Sequence, residues 1–288
     1  MIKYTYPSLN SLIIIFFTIS VVHSQTKKEY ADWLYQQGDY FRAISEYKEL
    51  QFFSKNIDSI NSYQYQIGKA YYRSGKHNNS IGEFASILER PISNEKKSNS
   101  LNYIALNYLN LSLPNQALFY SAEALKIDSI KSSFTTGLIY SNLYDWETSK
   151  KYFNMLIKYA PSDAMTSLAK DNLKLLDSVT DLNQKSPLLS MIFSAILPGS
   201  GQYYSEHSID ALQAFAFVGS FAYMSYIAYK YDHSNNRGYY NFGFTISITS
   251  LFYVANLIGA ERTATYYNLK QKQDFVRKIN EKSFLMYD

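Results

Sequence analysis

The sequence predicts an all-α protein in two parts, a stack of helix pairs followed by a transmembrane helical hairpin. Three observations carry this. A phrase of small and aromatic residues recurs between residues 26 and 177, a region with no strong β alternation and little Pro or Gly. Two later stretches, 211–229 and 239–260, contain no Asp, Glu, Lys, Arg or His. About 20 apolar residues cross a ~30 Å hydrocarbon layer. Finally, the 288 residues include no cysteine, so neither a disulfide nor a thiolate metal site supports the fold.

The first element is an export signal over residues 1–24. Lys3 supplies a basic start, 12–22 is an uncharged and largely apolar run, and Val22 and Ser24 stand where small residues precede a cut before Gln25. An uncleaved signal anchor is the other reading. With the signal cleaved, the chain immediately after position 25 is expected outside the cytoplasm.

Residues 25–161 form the repeat region. The first copy has Ala31, Leu34, Gly38, Tyr40, Ala43, Ile44 and Tyr47. The second has Gly68, Tyr71, Gly75, Ser80, Ile81 and Phe84. The third has Ala105, Tyr108, Ala117, Leu118 and Ser121, and the fourth has Gly137, Tyr140, Trp146, Ser149, Phe153 and Pro161. The small residues Ala31, Gly68, Ala105 and Gly137 fall 37, 37 and 32 positions apart. Small residues let two helices approach closely, and large aromatics fill the space between them. This pattern resembles the tetratricopeptide repeat (TPR) family. The resemblance implies a TPR-like α-solenoid of four repeats, with Pro161 ending the last helix. Leu34, Ser112, Pro114 and Ser121 depart from the family pattern. Residues 162–177 read as one more amphipathic helix with Leu168, Leu175 and Leu176 on its apolar stripe and Ser162 or Asp163 as N-cap, suited to cap the stack.

Such arrays bind peptides on the concave face built by the first helix of each pair. The resemblance places Tyr35, Tyr65, Lys69, Tyr72, Arg73, Asn102, Asn110 and Asn142 on that groove. Aromatic faces, amides and two cations suit an extended peptide, with Lys69 and Arg73 taking a carboxylate. A solvated helix face without a dedicated ligand is the other reading.

The polar stretch 178–187 reads as a linker, and 188–260 as a membrane domain. Its first part, 188–205, is apolar up to Leu197 and is then broken by Pro198, Gly199, Gly201 and Gln202, as in a re-entrant or interfacial helix. The phrase P-G-S-G-Q-Y-Y followed by two apolar helices resembles a membrane domain of unknown function in exported proteins of Bacteroidetes-type bacteria. Those four residues shape a turn, or form a site for a lipid headgroup or partner. The pairs Ala216/Ser220 and Ala255/Gly259 predict close helix contact. Residues 261–288 form a basic helical tail whose Lys and Arg content favours the cytoplasm, whereas two crossings after a cleaved signal place it outside. Two crossings are preferred because of the Pro-Gly break.

No motif demands catalysis: no H-E-x-x-H, P-loop, G-x-S-x-G or dinucleotide turn is present. His77 reads as a solvent-facing turn residue, and Glu206, His207 and Asp210 as a helix-start acidic patch. A net charge of +4 is too small to imply nucleic acid. The expectation is therefore a non-enzymatic, cofactor-free scaffold in the bacterial inner membrane. Its repeats face the periplasm and recruit a protein or peptide partner, and its helices contact membrane lipid. The alternative is an accessory subunit of a transporter or channel, for which Asn256 in the third apolar stretch is the supporting residue.

Overall fold

The computed structural model describes residues 27–160 and 164–284. The proposed signal, Pro161 and the proposed N-caps Ser162 and Asp163 lie outside the described residues. The described residues are helical, without strands. They divide into two compact units, one ending at Lys174 and the other covering Leu175–Phe284.

The first unit opens with α1 (27–36). It continues with α2 (Tyr40–Phe53), α3 (Ile57–Arg73), α4 (His77–Leu88), α5 (Asn94–Asn110), α6 (Pro114–Ile127), α7 (Ser129–Asn142), α8 (Trp146–Tyr159) and α9 (Ala164–Asp177), which runs past the unit boundary. Each helix packs on the next from α2 to α8, and α3 meets α5 as α5 meets α7. α3, α5 and α7 thus stand side by side, as in a solenoid. Starts are set by short polar side chains: Asn56, Ser93, Asp128 and Asp145 each accept a backbone N–H from the following first turn.

The turn inside each pair repeats in atomic detail. Gly38, Gly75, Ser112 and Tyr144 all adopt positive φ, between 59° and 78°. Asp39 N–H returns to Leu34 O, Lys76 to Tyr71 O, Leu113 to Tyr108 O and Asp145 to Tyr140 O, each at 2.9 or 3.0 Å. This is a Schellman closure, and it satisfies carbonyls the ending helix would otherwise orphan. Packing repeats as well. The Ser80 hydroxyl donates to Gly68 O at 2.9 Å, and the Ser149 hydroxyl donates to Gly137 O at 2.8 Å. The Phe84 and Phe153 rings lie over those same glycines, so that a Cβ on either would sit 2.9 Å from a ring carbon. The helix-interior glycines are therefore imposed by the aromatic of the partner helix. On α9 the buried face is Thr166, Ala169, Asn172 and Leu176; of the expected stripe Leu176 is buried, whereas Leu168 and Leu175 are half-buried.

After the end of α9 the second unit continues with a short 3-10 helix, Ser178–Asp181, inside the expected linker. It then holds α10 (Pro187–Ile196), α11 (Ser200–Tyr204), α12 (Ser208–Ser234) and α13 (Tyr240–Phe284). The third apolar stretch and the basic tail are one 45-residue helix, since no Pro interrupts them. α12 packs along α13. Its buried positions are Ala211, Val218, Ser225 and Asp232, seven residues apart; α13 answers with Thr249, Asn256 and Thr263. A seven-residue seam is the signature of left-handed helix pairing. Ser225 and Thr249 hydroxyls meet across it at 2.8 Å, and Phe221 stacks on Phe252. Ala216 and Ser220, expected at the contact, face outward instead. At the far end Asp232 caps α13, accepting from Phe242 N–H at 3.0 Å and from the Asn241 amide at 2.7 Å.

Candidate functional site

The first unit holds a polar cavity of about 620 Å³ between α1, α2 and α3, lined by Lys28, Asp32, Tyr35, Gln36, Tyr40, Tyr47, Gln66, Lys69 and Arg73. Three of the eight residues expected in the groove, Tyr35, Lys69 and Arg73, meet here. The Lys69 ammonium lies 5.3 Å from the Tyr35 ring centre, and Tyr35 packs edge-on against Tyr40. Asp32 accepts from the Tyr47 hydroxyl at 2.6 Å and pairs with Lys28 at 2.9 Å. Three cations against one carboxylate leave the lining positive, which favours an acidic ligand. Burial, then the bond to Asp32, raises the Tyr47 pKa, so this phenol stays a neutral donor.

The other expected groove residues are placed differently. Tyr65 and Tyr72 join Phe84 and Tyr103 in one aromatic cluster, with Phe84 stacked on Tyr103 at 4.7 Å and both tyrosines edge-on to Tyr103. Tyr72 is buried, and burial pushes its pKa up to about 12. Asn102 is buried as well: its amide donates to Ser132 at 3.0 Å, and its Oδ1 has no hydrogen-bond partner. Asn110 is exposed at the end of α5, and Asn142 is half-buried, bonding Leu138 O at 2.8 Å. His77 is not solvent-facing: its Nδ1 lies 2.9 Å from Asn107 Oδ1, and Asn107 in turn donates to Ser80 at 2.9 Å.

In the second unit, Gly199, Gly201 and Gln202 are not on a surface but at the centre of a buried hydrogen-bond network. Gly199 takes φ +88°, and a Cβ there would overlap the Ala211 carbonyl; a Cβ on Gly201 would overlap that of Ser190. Gly199 N–H donates to Asn256 Oδ1 at 3.0 Å, and Gly201 N–H to Ser194 Oγ at 3.0 Å. Gln202 accepts from Ser194 at 2.8 Å and donates to Asn256 O at 3.1 Å. The Asn256 amide donates to Ser194 O at 3.1 Å, and the Ser190 hydroxyl to Ala260 O at 2.7 Å. Asn256, the residue that supported a conduction path, is consumed in holding the turn. The sequence signal for this is the Gly-x-Gly-Gln spacing; its partners Ser190, Ser194 and Asn256 carry none.

These bonds fix depth along α13. Lys185 exchanges two hydrogen bonds with Asn268, at 2.7 and 2.8 Å. Ser190 then meets Ala260, Ser194 meets Asn256, and Ala195 O accepts from Tyr253. The chain returns through Gln202, level with Asn256, to Glu206, whose carboxylate accepts from Tyr267 at 3.2 Å. α10 and α11 therefore enter and leave on the same side, and α12 then runs the full length to Asp232. The apolar windows of α12 and α13 are only 17% and 11% buried. Both helices are thus long and apolar enough to cross a membrane, with most of that apolar surface facing outward.

Among the described residues no three His, Asp or Glu side chains gather as a metal site. His207 bonds Ser205 O at 2.7 Å instead.

Residues 132–163 match the model of the tetratricopeptide repeat family. That window is the α7–α8 pair, with Gly137, Ser149 and Phe153 at its centre. No curated protein matches the chain. Among solved structures the chain is similar to the TPR domain of P58(IPK), at 14% identity and a TM-score of 0.29, covering 91% of this chain and 80% of that one. The α7–α8 pair thus carries the repeat by sequence, and the pairs before it share its turn geometry.

Proposed function

We propose that this protein is a membrane-anchored scaffold whose repeat unit recruits an acidic peptide segment. The observation that carries it is the joining, in one chain, of a repeat stack with a positive cavity to a helical hairpin whose apolar faces point outward. Tethering a binding module raises the effective concentration of its ligand. In this reading Lys69 and Arg73 hold the ligand carboxylate, and the faces of Tyr35 and Tyr40 flank its chain. Repeats of this kind are protein-interaction modules and carry no catalytic groups of their own.

In the membrane, α12 and α13 cross and α10–α11 form a re-entrant hairpin. The exchange between Lys185 and Asn268 supports an even number of crossings, with both ends of the unit on one side. The reading of 1–24 as an export signal supports a bacterial inner-membrane setting with the repeats in the periplasm. The basic tail then shares that side, because the first segment usually dominates orientation.

The test is a titration of the full chain in detergent with labelled acidic peptides bearing a free C-terminal carboxylate, read by fluorescence polarisation. Lys69→Glu with Arg73→Glu is expected to abolish binding while helicity is kept. Unchanged binding by the double variant overturns the groove assignment. Protection of a tag after Asp288 from protease in spheroplasts overturns the topology.

A further inference from the structure

The second unit holds a cavity of about 720 Å³ against α10 and α11. That size is within the roughly 300–1,000 Å³ of small-molecule sites. Phe193, Ile196, Leu197 and Tyr204 line it, together with two charged groups, Lys185 and Glu206.

The lining is sorted by depth. Lys185 and Glu206 stand level with Asn268 and Tyr267 on α13. α10 descends from there, so that Phe193, Ile196 and Leu197 lie beside the level of Asn256 and Tyr253. Charge sits above and hydrocarbon below, as in a phospholipid.

The charges are held in place. The Lys185 ammonium lies 5.0 Å from the centre of the Tyr204 ring and 5.5 Å from that of Tyr267. Its side chain is only 18% exposed. A cation between two ring faces is fixed and partly desolvated. Glu206 is 3.8 Å from it and 63% exposed, and its carboxylate also accepts from the Tyr267 hydroxyl at 3.2 Å. This is a plus-minus pair at the mouth of an apolar slot.

We propose that the slot binds an aminophospholipid, with the phosphate on Lys185, the primary ammonium on Glu206 and the upper part of one acyl chain along α10. The proposal rests on the membrane reading above. An anionic glycerol headgroup brings no cation for Glu206 and meets its negative charge. A choline headgroup has a cation but no N–H to donate, so it loses the charge-assisted hydrogen bond.

The test uses the full chain in detergent micelles with dioleoyl lipids carrying ethanolamine, choline or glycerol headgroups, read by native mass spectrometry. Ethanolamine lipid is expected to be retained about tenfold over the other two, a 1.4 kcal/mol preference. Glu206→Gln is expected to remove that preference, and Lys185→Met to lower retention of ethanolamine lipid, both at unchanged helicity by circular dichroism. Equal retention of the three lipids by the unaltered chain, or an unchanged preference in either variant, overturns the site. Co-flotation with vesicles separates the two levels. A chain that floats without headgroup preference loses only this site, whereas one that stays dissolved without detergent loses the membrane reading as well.

Discussion

Gly199 N–H donates to the side-chain oxygen of Asn256 at 3.0 Å, across 57 residues of sequence. That bond ties the turn after α10 to the middle of α13, in a setting where water is not at hand to replace it. An unsatisfied buried donor costs about 1–3 kcal/mol. Asn256→Leu strands Gly199 N–H and weakens the hold on Gln202 and Ser194 at once. The full chain in detergent is expected to lose several degrees of thermal midpoint, followed by circular dichroism. An unchanged midpoint removes Asn256 from the role of staple.

The glycines of the second unit divide by what surrounds them. Gly201→Ala puts a methyl group into the Ser190 carbonyl, and Gly199→Ala puts one into that of Ala211. Both variants are expected to fail to assemble the α10–α11 hairpin. Gly219 and Gly243 leave open space where a methyl group would stand, and each lies within a helix. Alanine there is expected to be neutral or to gain up to about 1 kcal/mol from helix propensity. Thermal melts of the four variants side by side check the contrast.

Gly68 and Gly137 are a harder case, because helix propensity favours alanine by about 1 kcal/mol and packing opposes it. A Cβ 2.9 Å from an enclosed phenyl ring forces a shift, and overpacking of this kind costs about 1–3 kcal/mol. Packing wins: Gly68→Ala is expected to destabilise the repeats. The pair Gly68→Ala with Phe84→Leu is expected to fall short of additivity, since the smaller side chain makes room. Full additivity in urea unfolding contradicts the contact.

Much of this is legible in the sequence, and the failures share a cause. The spacing of Ala31, Gly68, Ala105 and Gly137 marks the pairs because close helix approach leaves few choices of residue. The four left-handed turns are half visible: Gly38 and Gly75 announce them, whereas Ser112 and Tyr144 hold the same φ without a glycine. The family resemblance assigns Tyr72 and Asn102 to the groove, whereas both are buried, Tyr72 against Tyr103 and Asn102 against Ser132. In the second unit, periodicity fails for a physical reason. The outward face of α12 carries Leu212, Phe215, Phe217 and Tyr223 and is apolar as well, so the seam of Ala211, Val218, Ser225 and Asp232 has no hydropathy contrast to reveal it.

That seam makes its own prediction. Ala216 and Ser220 face outward, so Ala216→Leu is expected to leave detergent-solubilised stability within about 0.5 kcal/mol, the range of surface substitutions. Ser225→Leu sets a large side chain against Thr249 and removes their 2.8 Å bond. It is expected to separate the helices and lower the thermal midpoint. The reverse order of effects restores the small-residue pairs as the contact.

Ser112 holds φ 59° at the third turn, where a side chain costs about 1 kcal/mol relative to glycine. Ser112→Gly is expected to raise the thermal midpoint by a few degrees, and Gly75→Ser to lower it comparably. Ser112 is exposed, and its turn keeps the same backbone bonds in either variant, so neither change is confounded by lost packing. Equal midpoints for both mean the turns are not under conformational selection.

The repeat unit is also expected to fail at alkaline pH, and the direction follows from its tyrosines. Burial is the largest cause raising the pKa of Tyr47, Tyr65 and Tyr72, the last to about 12. An unfolded tyrosine titrates near 10. The neutral phenols therefore stabilise the fold fully below about pH 10. Above it the unfolded chain releases these protons first, so stability falls as pH rises toward the folded values. Loss of helicity should set in above about pH 10, with tyrosinate absorbance rising together with unfolding rather than ahead of it. Tyr72→Phe removes one such proton and should make the alkaline transition shallower, at little cost in packing because the ring stays in place against Tyr103. A transition of unchanged steepness in that variant shows that Tyr72 is not among the groups whose ionisation drives unfolding.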